Sequence, residues 1–395
     1  IVVYVGTGSR YERDEEAGLS HFIEHMLFKG TERRPTAKEV SEAIERLGGV
    51  INAATDREAT YYWVKVARPH FEVALDLLTD MFRNSRFDPA EVEKERGVVI
   101  EELAMTHDSP QDLVDLLIDE VVWPDQPLGR DVGGSRETVS GFTREMAVDF
   151  LRSHYTPRNT VIAVAGNVEH QEVVDLVDRW WDDWRAPEPA GWFPAVDGQT
   201  APRSKVLYKR TEQAHFSLAV PGLSSRDPDR YALDLLNVIL GEGMSSRLFL
   251  ELRERYGLAY DVHSYVSHFL DVGAATIYAG VDPKKIDDAL KAVLHELARL
   301  REEIPEDELH KAKEYSKGRL LLRMEDTRAV AGWWGGQELL ADQVRSVDEV
   351  VGLIDRVTPD DILAVARRIF VPDKLNLAVV GPYRSSGRFQ KLLTI

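Results

Sequence analysis

Two stretches of this chain repeat each other at a fixed offset, and such a repeat admits few architectures. Thr143 to Gly166 (TREMAVDFLRSHYTPRNTVIAVAG) aligns without gaps on Thr358 to Gly381 (TPDDILAVARRIFVPDKLNLAVVG). Thr143 matches Thr358, Arg152 matches Arg367, Pro157 matches Pro372, Val164 matches Val379 and Gly166 matches Gly381. Each copy reads as a helix, a proline turn, a buried strand and a glycine. One duplicated domain explains this economically, and a length of 395 residues exceeds what one hydrophobic core usually organises.

The seam between the copies is marked by composition. Between Trp184 and Lys205, Pro187, Pro189, Pro194 and Pro202 together with Gly191 and Gly198 remove any sustained periodicity. The expected division is therefore residues 1–186, a linker over 187–203, and 204–395. Strand-like runs at Val50 to Ala54, Thr60 to Val66, Val206 to Val220 and Ala274 to Ala279 stand beside helical runs without strict alternation. This predicts an α+β class with two homologous domains, each a mixed, mostly antiparallel sheet packed with helices.

Charge and composition then exclude several functions. A formal net charge of -18 opposes nucleic-acid binding, which needs a basic face, and favours basic or weakly charged partners. With no cysteine, any transition metal must be held by nitrogen and oxygen ligands. No apolar run approaches the roughly 20 residues that cross a bilayer, so no membrane span is expected. Ile1 to Gly6 reads as a strand already inside a domain, which is compatible with a leader outside this sequence; the expected compartment is the cytoplasm.

The chemistry concentrates in Gly18 to Gly30 (GLSHFIEHMLFKG). Leu19, Phe22, Ile23, Met26 and Leu27 recur at helical spacing and define a core face, which places His21, Glu24 and His25 together on the other face. Histidines at i and i+4 can offer ring nitrogens to one zinc ion, and a glutamate just before the second can act as base on a metal-bound water. The bland reading, histidines on a solvated helix face, stands until a third ligand is found.

Asp88, Pro89 and Glu91 open a second helix as N-cap, first-turn proline and capping-box partner, and it runs through Glu102. Glu95, Val98, Val99 and Glu102 fall on one face of it and Glu101 on another. An inward carboxylate needs a metal or a basic partner, so Glu102 is either the third ligand or half of an ion pair.

The motifs HFIEH (His21 to His25), NAAT (Asn52 to Thr55), ERGVVIEE (Glu95 to Glu102) and SSRLFLELRERYGLAY (Ser245 to Tyr260) resemble those of the pitrilysin family of HxxEH zinc peptidases, in particular its two-domain bacterial members. The resemblance covers nearly the whole chain. It implies His21, His25 and Glu102 as ligands of one zinc ion per chain, Glu24 as general base, and Glu95 as a supporting carboxylate of the catalytic set. It further implies an open strand at Asn52 and Ala53 that captures an extended peptide, and Arg253 with Tyr260 in the second copy as substrate-binding groups. Read alone, Arg253 and Tyr260 are a surface cation and a strand aromatic of ordinary kind.

The expected activity is zinc-dependent endopeptidase action on unfolded peptides or protein precursors. Two rival readings are a non-catalytic core-type subunit of the same fold and a metal-dependent hydrolase of something other than peptides. The second copy has no HxxEH in its matching helix, Tyr231 to Leu240, and cannot hold the same metal. The expected partners are an extended peptide or unfolded protein substrate, and a second copy of the chain in a homodimer or a homologous subunit in a heterodimer.

Overall fold

The computed structural model describes residues 1–185 and 187–395. The expected domain end at residue 186 lies outside the described residues. In chain order the first half holds β1 (Val2–Val5), α1 (Leu19–Leu27), α2 (Ala37–Glu45), β2 (Val50–Thr55), β3 (Thr60–Lys65), α3 (Phe71–Asn84), α4 (Pro89–Asp108), α5 (Pro110–Val122), α6 (Arg136–Gly141), α7 (Arg144–His154), β4 (Thr160–Ala163) and α8 (His170–Trp181). The second half holds β5 (Arg203–Tyr208), β6 (Ala214–Pro221), α9 (Arg230–Gly241), β7 (Ala259–His268), β8 (Gly273–Val281), α10 (Ile286–Leu300), α11 (Glu306–Arg323), α12 (Thr327–Leu340), α13 (Val347–Arg356), α14 (Pro359–Ile369), β9 (Asn376–Gly381) and α15 (Gly387–Gln390). Helices mixed with antiparallel sheets bear out the α+β class.

The duplication is visible in the strand order. One sheet runs β2-β3-β1-β4 and is antiparallel throughout; the other runs β7-β8-β6-β9 in the same sense, with β5 added parallel to β9. The run Val206 to Val220, expected as one strand, is two. Its first part pairs with β9 alone, and the polar turn at Thr211 to Gln213, closed by the Thr211 hydroxyl on the Gln213 carbonyl, separates it from β6.

Contacts divide the chain into two compact units, and neither is one run of sequence. The first comprises Ile1–Ala104, Arg130–Phe193 and Arg323–Val344; the second comprises Met105–Gly129, Pro194–Leu322 and Arg345–Ile395. The crossing at Phe193 and Pro194 falls inside the proline-rich stretch. The other crossings arise because each sheet is covered by a helix from the opposite half of the chain: α12 packs on β1 and β4, whereas α5 packs on β6 and β9. Glycines let α12 approach closely. A Cβ on Gly335 would lie 2.8 Å from Ala163 Cβ and 2.9 Å from the Tyr4 ring, and the Tyr4 hydroxyl donates to the Gly332 carbonyl at 3.3 Å.

Within the first unit, α1 presents Leu19, Phe22, Ile23, Met26 and Leu27 to a core shared with Val3, Val5, Tyr62, Val99 and Leu103. That packing fixes which face of α1 is left for His21, Glu24 and His25. Among the described residues, no helix is long and apolar enough to cross a membrane.

Candidate metal centre

The start of α1 is held by a device that its own sequence hides. Gly18 caps the helix at φ +96°, in the left-handed region, where a Cβ would come within 2.4 Å of the Gly133 carbonyl oxygen. The fully buried Glu12 carboxylate accepts from the Gly18 and Ser20 amides at 2.8 and 2.6 Å, satisfying two of the orphan donors of the first turn. Burial drives the Glu12 pKa up to about 7 despite these bonds.

One turn further on, His21 Nε2 and His25 Nε2 face each other at 3.2 Å. Glu102 brings a carboxylate oxygen to 3.9 Å from the first and 3.6 Å from the second. Ligand bonds of about 2.0–2.2 Å in a tetrahedron set neighbouring donors roughly 3.3–3.6 Å apart; the separations here lie within about 0.3 Å of that range, so the three residues could hold a zinc ion and leave a fourth position for another ligand. All three donor atoms lie within 4.8 Å of one another.

His25 Nδ1 lies 2.8 Å from the Glu95 carboxylate, which assigns its proton to Nδ1 and leaves the Nε2 lone pair for a metal. The Glu95 side chain is only 2% exposed, and Lys29, one turn beyond His25, pairs with its other oxygen at 2.6 Å. Burial alone would raise the Glu95 pKa, but the bonds from His25 and Lys29 outweigh it and hold the carboxyl below its usual range. Burial also pulls His25 down. The Glu95 hydrogen bond and the Glu102 charge reverse this, and its pKa ends above the ordinary imidazole value. His21 moves the other way, to about 4, through burial and the neighbouring His25. Its Nδ1 is buried with no hydrogen-bond partner among the described residues.

Glu24 shares the half-buried face of α1. Burial raises its pKa, and a hydrogen bond from the Thr55 hydroxyl to Oε2 at 2.5 Å opposes that rise. Thr55 closes β2, which lies at the edge of its sheet. On that strand Asn52 is exposed, and the Ala53 amide donates to the Asn52 side chain at 2.8 Å.

The first unit thus brings His21, Glu24, His25, Glu95 and Glu102 together, with Asn52 and Ala53 on the strand that ends at Thr55. Val98, expected on the inward face of α4, is instead 38% exposed, whereas Val92, Glu95, Val99 and Leu103 are buried. A period of 3.6 residues places 92, 95, 99 and 102–103 in line and turns 98 to the flank.

Arg253 and Tyr260 belong to the second unit and are neighbours there. Arg253 lies in a π-helical turn, Phe249–Arg255, with its guanidinium 4.9 Å from both the Phe249 and the Tyr260 ring centroids. It donates to the Tyr260 carbonyl at 3.1 Å, and Tyr260 itself is 74% exposed.

Sequence reasoning did not single out Glu12, Lys29 or a role for Thr55. Lys29 carried a signal, since it stands four residues after His25, just past the end of α1; Glu12 reaches the first turn of α1 from six to eight residues upstream, and Thr55 meets the site through tertiary packing.

Residues 1–136 match the family described as Insulinase (Peptidase family M16), and residues 141–315 match the Peptidase M16 inactive domain. An uncharacterized zinc protease of Streptomyces coelicolor is 39% identical over 389 residues, spanning 97% of this chain and 84% of that protein. One of Bacillus subtilis, YmxG, is 38% identical over 383 residues, spanning 97% and 92%. Among solved structures, a protease from Helicobacter pylori superposes with a TM-score of 0.90 at 24% identity, covering 96% of this chain and 93% of that one. A chain of Complex III2 from Candida albicans gives 0.86 at 20% identity, covering 100% and 94%. The histidine pair on α1, the duplicated two-domain α+β fold and these relatives agree: the chain belongs to the insulinase-type M16 peptidase family, the pitrilysin family.

Proposed function

We propose that this chain is a zinc metalloendopeptidase that hydrolyses peptide bonds in extended, unfolded peptides or protein precursors. The observation that carries the reading is the convergence of His21 Nε2, His25 Nε2 and a Glu102 oxygen on one point, with the Glu24 carboxylate on the same helix face. Zinc bound by these three residues would polarise a scissile carbonyl and lower the pKa of a bound water. Glu24, its basicity raised by burial, is suited to take the proton of that water and return it to the leaving amine, without a covalent intermediate. Glu95 fixes the ring of His25, and Lys29 balances the charge of Glu95.

The open edge at Asn52 and Ala53 suits an extended backbone. Rotation of the Asn52 side chain frees the Ala53 amide to pair with it, and the requirement for an extended partner selects unfolded over folded substrates. Arg253 and Tyr260 supply a cation and a phenol for the same substrate. The chain acts as a homodimer in which each site takes its zinc residues from one copy and Arg253 with Tyr260 from the other. A non-catalytic core-type subunit would have no use for a buried carboxylate held beside three convergent donors.

The test is Glu24→Gln, which keeps the shape and removes the proton acceptor. Elemental analysis should find one zinc per chain in both proteins, with hydrolysis of an unstructured peptide lost in the variant. Turnover close to the parent's, or purified parent without zinc, would overturn the reading.

A further inference from the structure

We infer that Thr55 is a positioning residue for the general base, tying Glu24 to the strand that receives the peptide; the inference rests on the functional reading above. Glu24 and Thr55 are 31 positions apart in sequence and meet only because α1 packs against β2. The bond is short, 2.5 Å, and goes to one oxygen, Oε2. A carboxylate on a flexible side chain can otherwise turn about its last bonds, and a proton acceptor works only within hydrogen-bond reach of its water. Holding Oε2 on Thr55 fixes the plane of the carboxylate and leaves Oε1 as the oxygen that faces the water.

The anchor's location carries the second half of the inference. Thr55 ends the same strand whose exposed edge presents Asn52 and Ala53. Two steps along the strand lead from Ala53 to Thr55, a rise of about 7 Å. A peptide paired at Ala53 and a base pinned at Thr55 therefore share one rigid ruler, and the distance between scissile bond and base is set by β2. Thr55 is itself fixed, since it stands opposite Thr60 in the β2–β3 register and Thr60 is buried with its hydroxyl on the Thr7 carbonyl. Errors near 1 Å in such placements cost about 100-fold in rate, so a hydroxyl that touches neither metal nor substrate can govern turnover.

Two substitutions separate this role from a structural one. Thr55→Val keeps the β-branched shape that suits the strand and deletes the donor; Thr55→Ser keeps the donor and loses a methyl. Zinc affinity by chelator competition, melting temperature, KM and kcat on an unstructured peptide are compared with the parent and with Glu24→Gln. The expected result for Thr55→Val is a fall in kcat of about 10- to 100-fold, with KM, zinc affinity and melting temperature close to the parent's, and for Thr55→Ser a return of most of the lost kcat. Full kcat in Thr55→Val alongside an inactive Glu24→Gln overturns this inference and leaves the functional reading standing. Equal losses of zinc and of melting temperature in both Thr55 variants also overturn it, because the hydroxyl would then serve only the fold. A zinc-loaded parent that hydrolyses nothing overturns the functional reading and this inference with it.

Discussion

Replacing Glu95 by glutamine keeps the shape of a buried side chain and removes one charge from a chain of three groups, Lys29, Glu95 and His25. The amide oxygen of the new side chain can still accept from His25 Nδ1, but a neutral acceptor replaces a charged one, and bonds to charged groups are roughly twice as strong. The amide nitrogen meanwhile faces the Lys29 ammonium, donor against donor. Outer groups that orient a metal-binding histidine are worth about 10- to 100-fold in affinity, or about 1.4–2.7 kcal/mol. We expect Glu95→Gln to weaken zinc binding by that factor. The assay is competition with a chromophoric chelator at about pH 8, because Glu95 also helps raise the His25 pKa and its loss would ease proton competition in acid. Glu101→Gln, on an exposed position of the same helix, is the control and should leave the affinity unchanged. A zinc affinity for Glu95→Gln within twofold of the parent would refute the reasoning, as would an equal loss in the control.

In metal-free protein, NMR titration should find the two ring systems far apart, His21 near 4 and His25 above 6.5. Between pH 6.5 and 4 the unfolded chain protonates His21 while the fold does not, so acidification destabilises the metal-free fold through His21; His25 acts oppositely, contributing stability below 6.5 that is lost as pH rises through its folded value. Coincident titration of the two rings would contradict this. Gly335→Ala and Gly336→Ala share any gain in helix propensity, but only the first places its Cβ within 3 Å of Ala163 and Tyr4, whereas the second meets nothing nearer than 3.8 Å. Urea unfolding should leave Gly335→Ala the less stable by about 1–3 kcal/mol, and equal midpoints would count against the packing of α12. Mixing Glu24→Gln with Tyr260→Phe under subunit exchange should restore roughly a quarter of parental activity if the sites are built from two chains, and background activity would sink the shared-site proposal.

The sequence made the site more legible than the architecture. His21, Glu24 and His25 are set by local periodicity, and a wheel drawn on α1 needs no tertiary information. Glu102 followed from the strong start signal of α4, although the same wheel took Val98 for an inward residue when it stands at the flank of that face, about 60° from Glu95. Duplication foretold the shared strand order. It did not foretell that α5 and α12 cover each other's sheets, because an amphipathic helix advertises an apolar face and says nothing of which sheet will receive it. Thr55 was invisible for a related reason, since its partner Glu24 is fixed only when segments 31 positions apart close; Glu12 is a single polar residue in a loop of no regular period, so its reach back to Gly18 and Ser20 has no sequence signature.

Tyr4 and Gly332, joined by a hydrogen bond, are separated by 328 residues. During synthesis the first sheet is complete by Ala163 yet must wait for most of the remaining chain to leave the ribosome before α12 can shield it. In the interval the sheet face that α12 will cover stands bare, and exposed surface of that kind is an aggregation hazard in a nascent chain. A chain truncated before α12 would leave that face uncovered. A protein assembled this way has its histidine-bearing half finished only once the second half exists.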